Sequence, residues 1–165
     1  MKKLLLCLIF TAFYVSPALH AETTLSEENK PKFTGQNYSG EYLCKGKNLT
    51  VGDYEVIVQL RLNKFNSYNK FGVYDFITET ENNMVYLGQA VADGNRLALT
   101  FKLKEAKIAE FSTGIGEFKK IGNRRWAFQN RYYEPDDTGG NYGYENCTMK
   151  TAFLPATKNK STVKK

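Results

Sequence analysis

Histidine and cysteine are scarce in this sequence, and their positions exclude several kinds of chemistry. The 165 residues contain one histidine, His20, and three cysteines, of which Cys7 also lies near the amino terminus. Both residues fall in a segment with the pattern of a cleaved signal peptide. Without that segment, the chain has no Ser-His-Asp triad, no Cys-His pair and no imidazole ligand for a metal.

The sequence also lacks the motifs that bind nucleotides and the basic body that binds nucleic acids. The sequence has no glycine loop of the P-loop type and no strand-to-helix dinucleotide motif. The formal net charge is +6, but two lysines lie in the signal segment and four in the tail "KNKSTVKK". The body between them is balanced, whereas a nucleic-acid binder needs a basic face on its folded body. We therefore expect no nucleic-acid partner, no cofactor and no metal.

The first 21 residues, "MKKLLLCLIFTAFYVSPALHA", have the order of a secretory signal. Two lysines precede an apolar run, and a small residue, Ala21, stands at the expected cleavage site. The run is shorter than the roughly 20 residues that a membrane span needs, and no later run approaches that length. We expect export, to the periplasm of a bacterium or beyond, with no transmembrane segment in the mature chain.

The rest of the chain predicts one domain between two loose ends. Residues 22–37 are polar and without periodicity, which indicates a flexible lead. Residues 155–165 form a basic tail that we expect to be disordered. Residues 38–154 are long enough to bury a core of their own.

Only Cys44 and Cys147 remain after cleavage of the signal. In an oxidising compartment, an even pair near the two ends of a domain indicates a disulfide, with two free buried thiols as the alternative.

Period-two alternation dominates residues 38–153. In "DYEVIVQLRLN", the residues Tyr54, Val56, Val58, Leu60 and Leu62 share one face, and "NRLALTFKLK" repeats the pattern. Such alternation is typical of strands with one face in the core. Asn82-Asn83, Asp93-Gly94-Asn95 and Gly122-Asn123 supply residues that tolerate the positive φ of hairpin turns. The strands are predicted near residues 38–45, 53–64, 70–80, 84–92, 95–104, 109–119, 124–133 and 142–153.

Eight successive antiparallel strands favour an all-β, up-and-down barrel, which leaves no exposed edge. A β-sandwich with adjacent ends is the alternative. Either fold brings the first strand, with Cys44, beside the last strand, with Cys147. One disulfide is therefore expected to close the domain.

The strand layout resembles the calycin class, the small barrels of the lipocalin and avidin type. The resemblance covers about residues 38–153 and rests on "SGEY" in the first strand, "FGVYDF" in the third and "NRLALTF" in the fifth. Calycins usually have a tryptophan after that first glycine, where this chain has Tyr42. Several tryptophans line an avidin pocket and this chain has only Trp126, so biotin binding is not implied.

A second resemblance is to small periplasmic lysozyme inhibitors, which are also disulfide-bearing antiparallel barrels. It rests on "YLCKGKNLTV", which is similar to the tyrosine–cysteine–glycine opening of one such group. The serine and lysine loop motif of those inhibitors has no counterpart here.

The stretch "NRYYEPDDTGGNYGYENC", residues 130–147, is the candidate site. If Trp126 and Phe128 point inward, alternation turns Asn130 and Tyr132 inward as well, nearer the long loop. A long loop rimmed by aromatics at a barrel mouth suits a ligand entrance, although tyrosines are also ordinary strand residues. The predicted ligand-binding residues are Trp126, Asn130, Tyr132, Tyr133, Tyr142 and Tyr144.

Carboxylates are the only catalytic groups that remain. Glu134, Asp136, Asp137 and Glu145 offer an acid and a base for glycoside cleavage, but "PDDTGG" indicates a hydrated turn. The same stretch is rich in oxygen ligands for calcium, but its spacing does not match an EF-hand. We therefore expect a non-enzymatic protein that binds an unknown small ligand or a protein partner. The alternatives are a lysozyme-inhibitor-like protein and a carboxylate-dependent glycosidase.

Overall fold

The computed structural model describes residues 30–106, 110–135 and 139–153. The predicted signal peptide, residues 22–29 of the predicted lead and the basic tail lie outside these ranges. Within them, no helix is long and apolar enough to cross a membrane.

Eight antiparallel strands form a closed barrel in which each strand pairs with the next and β1 pairs with β8. The barrel prediction is therefore confirmed and the sandwich alternative is wrong. Every predicted strand is present, with ends that differ by a few residues. The strands are β1 Gly40–Asn48, β2 Gly52–Leu62, β3 Phe71–Glu79, β4 Val85–Asp93, β5 Arg96–Leu103, β6 Ser112–Gly122, β7 Arg125–Glu134 and β8 Asn141–Ala152.

The disulfide joins the first and last strands at their seam. Cys44 lies directly opposite Cys147 in the β1–β8 pairing, and their Cα atoms are 3.9 Å apart. Both residues are fully buried in the barrel core. The predicted disulfide is confirmed, and it fixes the register of the one strand pair that local hairpins cannot set.

Aromatic side chains close one end of the barrel, where the β4–β5 and β6–β7 turns lie; we call it the closed end. The Tyr38 ring stacks on Phe118 with 3.8 Å between ring centroids, and the edge of Trp126 meets it at 4.9 Å. The Tyr38 hydroxyl also donates a hydrogen bond to the Gly94 carbonyl, at 2.7 Å. These contacts bury Tyr38 and seal the end before β1 begins.

Part of the segment predicted to be a loose lead is paired with the barrel. Phe33 forms a parallel bridge with Asn69, whose carbonyl accepts hydrogen bonds from the Thr34 and Gly35 amides. The Gln36 carbonyl accepts a hydrogen bond from the hydroxyl of Tyr74, a core residue. These partners lie far along the chain, so a local polar composition gave no sign of them.

A β-bulge reverses the expected facing at the end of β8. Alternation placed Phe153 on the same face as Cys147 and Met149. In the structure the register shifts between Glu41 and Tyr42, so that Lys150 is the extra residue. The bulge turns Ala152 towards the core and brings the Phe153 ring under the guanidinium of Arg61, 5.0 Å from the ring centroid.

The disulfide should stabilise the domain chiefly by restricting its unfolded state. For its sequence separation of 103 residues, the chain-entropy model gives a stabilisation of about 4.7 kcal/mol. Measured stabilisations by disulfides are often smaller than this model gives. We expect the double variant C44S/C147S to lose about 2–4 kcal/mol in urea unfolding at neutral pH. Wild-type protein reduced under the same conditions should match the variant, and equal stability of the oxidised protein and the variant would contradict this role.

Candidate functional site

The end opposite the closed end is open and holds a pocket, which we call the mouth. Its volume is about 810 Å³, within the range of small-molecule sites. Inward-facing residues from β1, β2, β3, β4, β5, β7 and β8 form its inner surface: Gly46, Asn48, Tyr54, Val56, Thr78, Tyr86, Phe101, Tyr132, Glu134 and Glu145.

A chain of side-chain hydrogen bonds crosses the mouth and ends at a carboxylate. Tyr54 donates to Glu145 Oε1 at 2.9 Å. Because the single Tyr54 proton is used there, the 2.9 Å contact between the hydroxyls of Tyr54 and Tyr132 has Tyr132 as its donor. Asn48 Nδ2 in turn donates to the Tyr132 hydroxyl at 3.2 Å. Every proton in the chain therefore points towards Glu145.

Glycines on neighbouring strands allow the two tyrosines to reach across the sheet. Gly46 of β1 pairs with both Tyr54 of β2 and Glu145 of β8, so the Tyr54 ring passes over Gly46 to reach the carboxylate. A Cβ at Gly46 would lie 2.3 Å from that ring, and one at Gly143 would lie 2.2 Å from the Tyr132 ring. Larger residues at these positions would displace both rings, so the network depends on the two glycines.

The carboxyl group of Glu145 lies in a poorly hydrated place. Its other carboxylate oxygen, Oε2, accepts a 3.2 Å hydrogen bond from Asn130 Nδ2, the residue directly opposite on β7. Loss of hydration raises the pKa of Glu145 above its ordinary value of 4.5, and the hydrogen bonds from Asn130 and Tyr54 oppose that shift only in part. The shift marks Glu145 as the centre of the network.

The same burial keeps the tyrosines of the mouth protonated. The pKa values of Tyr54 and Tyr132 are raised, first by loss of hydration. Burial and the nearby charge of Glu134 also raise the pKa of Tyr86. At neutral pH these phenols are hydrogen-bonding groups and apolar walls rather than bases or nucleophiles.

A second group of amides braces the rim of the mouth. Asn141 Nδ2 donates to Asn48 Oδ1 at 2.5 Å and to Thr50 Oγ1 at 2.8 Å. Asn48 Oδ1 also accepts the Thr50 amide, which shapes the β1–β2 turn. Among the described residues, the buried side-chain atoms without a hydrogen-bond partner are the Oδ1 atoms of Asn130 and Asn141.

The six predicted ligand-binding residues lie in three places. Asn130 and Tyr132 face the barrel interior, at 2% and 7% exposure, and belong to the network. Trp126 packs at the closed end, as described above. Tyr133, Tyr142 and Tyr144 face outward, with Tyr133 and Tyr142 in ring contact at 5.2 Å.

The outward tyrosines flank a depression on the outer surface of β6, β7, β8 and the end of β1. Its volume is about 1010 Å³, but it is wide open, and several apolar side chains along it are solvated. Leu49 is 80% exposed and Ile115 is 72% exposed. We treat the mouth as the ligand site because inward-facing polar groups converge there. The outer depression borders it and shares Asn48, Tyr132 and Glu145 with it. The long β7–β8 loop includes residues 136–138, which lie outside the described ranges.

Sequence reasoning omitted three members of the network from the predicted site: Asn48, Tyr54 and Glu145. A signal was present for Glu145, because alternation puts it on the same face as Cys147 and so in the interior. A carboxylate on the core face of a strand is rare enough to indicate a functional role. For Asn48 and Tyr54 the signal was absent, since their roles depend on which strands become neighbours.

One cluster has the spacing of a metal site but not its chemistry. Ligand atoms of Cys44, Glu145 and Cys147 lie within 4.8 Å of one another. The two sulfurs are bonded to each other, and a metal needs thiolates. With one carboxylate left, the described residues of this cluster do not form a metal centre.

The chain matches no protein-family model and no curated protein. A crystal structure from Bacteroides ovatus, a structural-genomics protein of unknown function, is similar at a TM-score of 0.44 and 13% identity. The alignment covers 72% of this chain and 43% of that one. Such a distant likeness carries no argument about function.

The raised pKa of Glu145 predicts a pH-dependent stability difference. Because the folded protein binds the Glu145 proton more tightly than the unfolded chain, this group stabilises the fold below pH 4.5 and loses that contribution as pH rises through the raised pKa. The free energy of unfolding of wild type minus that of E145Q should therefore fall as the pH rises from 4.5 through the raised pKa. Urea unfolding at a series of pH values measures it.

The matched control for this measurement is E117Q. Glu117 faces outward on β6, where it accepts a hydrogen bond from Asn95. The fall measured for E145Q should exceed any change measured for E117Q over the same range. A flat difference for E145Q would contradict the raised pKa.

Proposed function

We propose that this protein is an exported, non-enzymatic binding protein that takes a small ligand into the mouth of its barrel. The convergence of Tyr54, Asn130 and Tyr132 on Glu145 carries this proposal. Buried polar groups in a core normally satisfy each other and are replaceable by apolar residues without loss of stability. Here they lie beside an open pocket of about 810 Å³ with aromatic walls, which is the usual composition of a ligand site.

The contrast between the two ends of the barrel supports the same proposal. The closed end is filled by Tyr38, Phe118 and Trp126, and the Tyr38 hydroxyl is hydrogen-bonded to the carbonyl of Gly94. Small barrels either fill their interior with side chains or hold one ligand, as calycin-like barrels do. This barrel is filled at one end and open at the other.

In this proposal the mouth binds its ligand without catalysing a reaction, and the chain acts outside the cytoplasm. Raised pKa values keep the phenols of the mouth protonated, and the carboxylate of Glu145 is engaged by Tyr54 and Asn130, which favours recognition over proton transfer. The buried disulfide suits an oxidising compartment, in agreement with the predicted signal peptide.

Chemical-shift mapping tests the site. Uniformly ¹⁵N-labelled protein would be titrated with benzyl alcohol, benzylamine and benzoate, three small ligands that share one ring and differ in charge. We expect at least one of them to shift the amides of Tyr54, Tyr86 and Tyr132 in a saturable way. The indole resonance of Trp126, the single tryptophan, should not move, because it lies at the closed end.

Two results would overturn this proposal. One is the absence of any shift at mouth residues with all three compounds at millimolar concentration. The other is a set of shifts confined to the outer surface around Ile115 and Tyr142, which would place the binding surface outside the barrel.

A second candidate function is the binding of a protein partner at the outer surface. The observation that favours it is the exposure of Leu49, Ile115, Tyr142 and Tyr144 on neighbouring strands near the mouth. Clustered exposed apolar residues often mark interaction surfaces. The resemblance of "YLCKGKNLTV" to lysozyme inhibitors makes lysozyme the partner to test.

Calorimetric titration with hen lysozyme tests this candidate. If it is correct, I115E should weaken binding about tenfold or more, since a buried charge replaces an apolar contact. I121E is the matched control, because Ile121 also lies on β6 and is 44% exposed but lies near the closed end. No heat of binding with the wild type would remove the lysozyme-inhibitor function.

A further inference from the structure

The charged residues that line the mouth are mostly acidic. Of the residues that line it, five are acidic and only Lys45 is basic. That lysine forms an exposed ion pair with Glu55, 2.6 Å from its carboxylate. Two of the acids, Glu134 and Glu145, project inward, where low hydration strengthens their field.

Glu145 is arranged as an anion with acceptor capacity to spare. Each of its oxygens accepts one hydrogen bond, from Tyr54 or from Asn130, and a carboxylate oxygen accommodates two. Asn130 is 98% buried, yet its Oδ1 has no partner. That oxygen faces Gly114 of β6, 2.6 Å from where a Cβ of the glycine would stand, whereas the Nδ2 of Asn130 faces Glu145 of β8. The cluster therefore has acceptors in excess of donors.

Aromatic rings surround this acceptor cluster. Phe101 meets the edges or faces of Tyr86 and Tyr132 with centroid distances of 6.0 Å and 5.9 Å. The Tyr54 ring stands on the opposite side, next to Glu145. The faces of aromatic rings attract cations, and more strongly when the cation has lost water.

We propose that the mouth recognises a small organic cation, a protonated amine carried on an apolar body. This inference rests on the proposed function and names the class of ligand. The ammonium group donates to the carboxylate of Glu145, and the apolar body lies against Tyr86, Phe101 and Tyr132, which line the same pocket. An anion is repelled by the carboxylates of Glu134 and Glu145, and a neutral ligand offers no charge to pair with Glu145.

The three ligands of matched shape separate this inference from the proposed function. At pH 7 benzylamine is a cation, benzyl alcohol is neutral and benzoate is an anion. We expect benzylamine to bind the mouth about tenfold more tightly than benzyl alcohol, which corresponds to one charged contact. Benzoate should give no saturable shift, and the advantage of benzylamine should fall as salt concentration rises.

E145Q provides the second arm and E117Q its control. E145Q should reduce benzylamine affinity about tenfold, to that of benzyl alcohol, and remove the salt dependence of benzylamine binding. E117Q removes one carboxylate at an outward position and should bind all three ligands as the wild type does. The salt series on wild-type protein tests the same point if E145Q does not fold.

Each outcome decides between the two proposals. Equal affinity of benzylamine and benzyl alcohol at the mouth overturns the cation inference and leaves the proposed function standing. Tighter binding of benzoate, or full benzylamine binding by E145Q, also overturns the inference. Displacement of benzylamine by equimolar calcium would overturn it too, because it would identify an inorganic cation as the occupant. No shift at the mouth with any ligand overturns both.

Discussion

The pairing of β1 with β8 is the constraint on which the rest of the structure depends. Cys44 and Cys147 lie opposite each other in that pairing, and both are buried. Their bond holds the seam of the barrel in one register. A slip of one residue would exchange the inner and outer faces of a strand. The same register sets Gly46 between Tyr54 and Glu145, and Gly143 between Tyr132 and Asn48. The interior network is therefore a consequence of how the barrel closes.

The two ends of the barrel use aromatic residues in different ways. At the closed end, Tyr38 and Phe118 stack and exclude water, and the hydroxyl of Tyr38 is satisfied by the backbone carbonyl of Gly94. At the mouth, Tyr54 and Tyr132 use their hydroxyls on each other and on Glu145. The closed end supplies the packed core that stabilises the domain. That leaves the mouth free to keep polar groups that contribute little to stability.

Much of the fold was predictable from the sequence, but only part of the site was. Alternation correctly turned Asn130 and Tyr132 inward, because facing is a local property of a strand. Alternation gives the face of a residue but not its place along the barrel axis, so Trp126 was grouped with Tyr132 in one predicted site. The two residues are six positions apart on β7, about 20 Å along the strand, and lie in opposite regions of the barrel. The bulge at Lys150 and the positive φ of Arg124, one residue after the expected Asn123, were equally hidden. The network itself joins β1, β2, β7 and β8, whose neighbourhood exists only after closure.

A carboxylate at the position of Glu145 opposes the stability of the barrel. Desolvation of its charge raises its pKa, and the hydrogen bonds from Tyr54 and Asn130 offset that cost only in part. Apolar residues of similar volume in place of Glu145, Tyr54 and Asn130 together would pack against the aromatic walls without any such cost. Gly46, Gly143 and Asn130 lower the folding stability further. The glycines provide no side chain for apolar contacts, and the Oδ1 of Asn130 is a buried acceptor without a partner. A donor-bearing cation in the mouth relieves the first of these defects, because it pairs the charge of Glu145. The carboxylate that weakens the empty barrel is the group that a bound amine would stabilise.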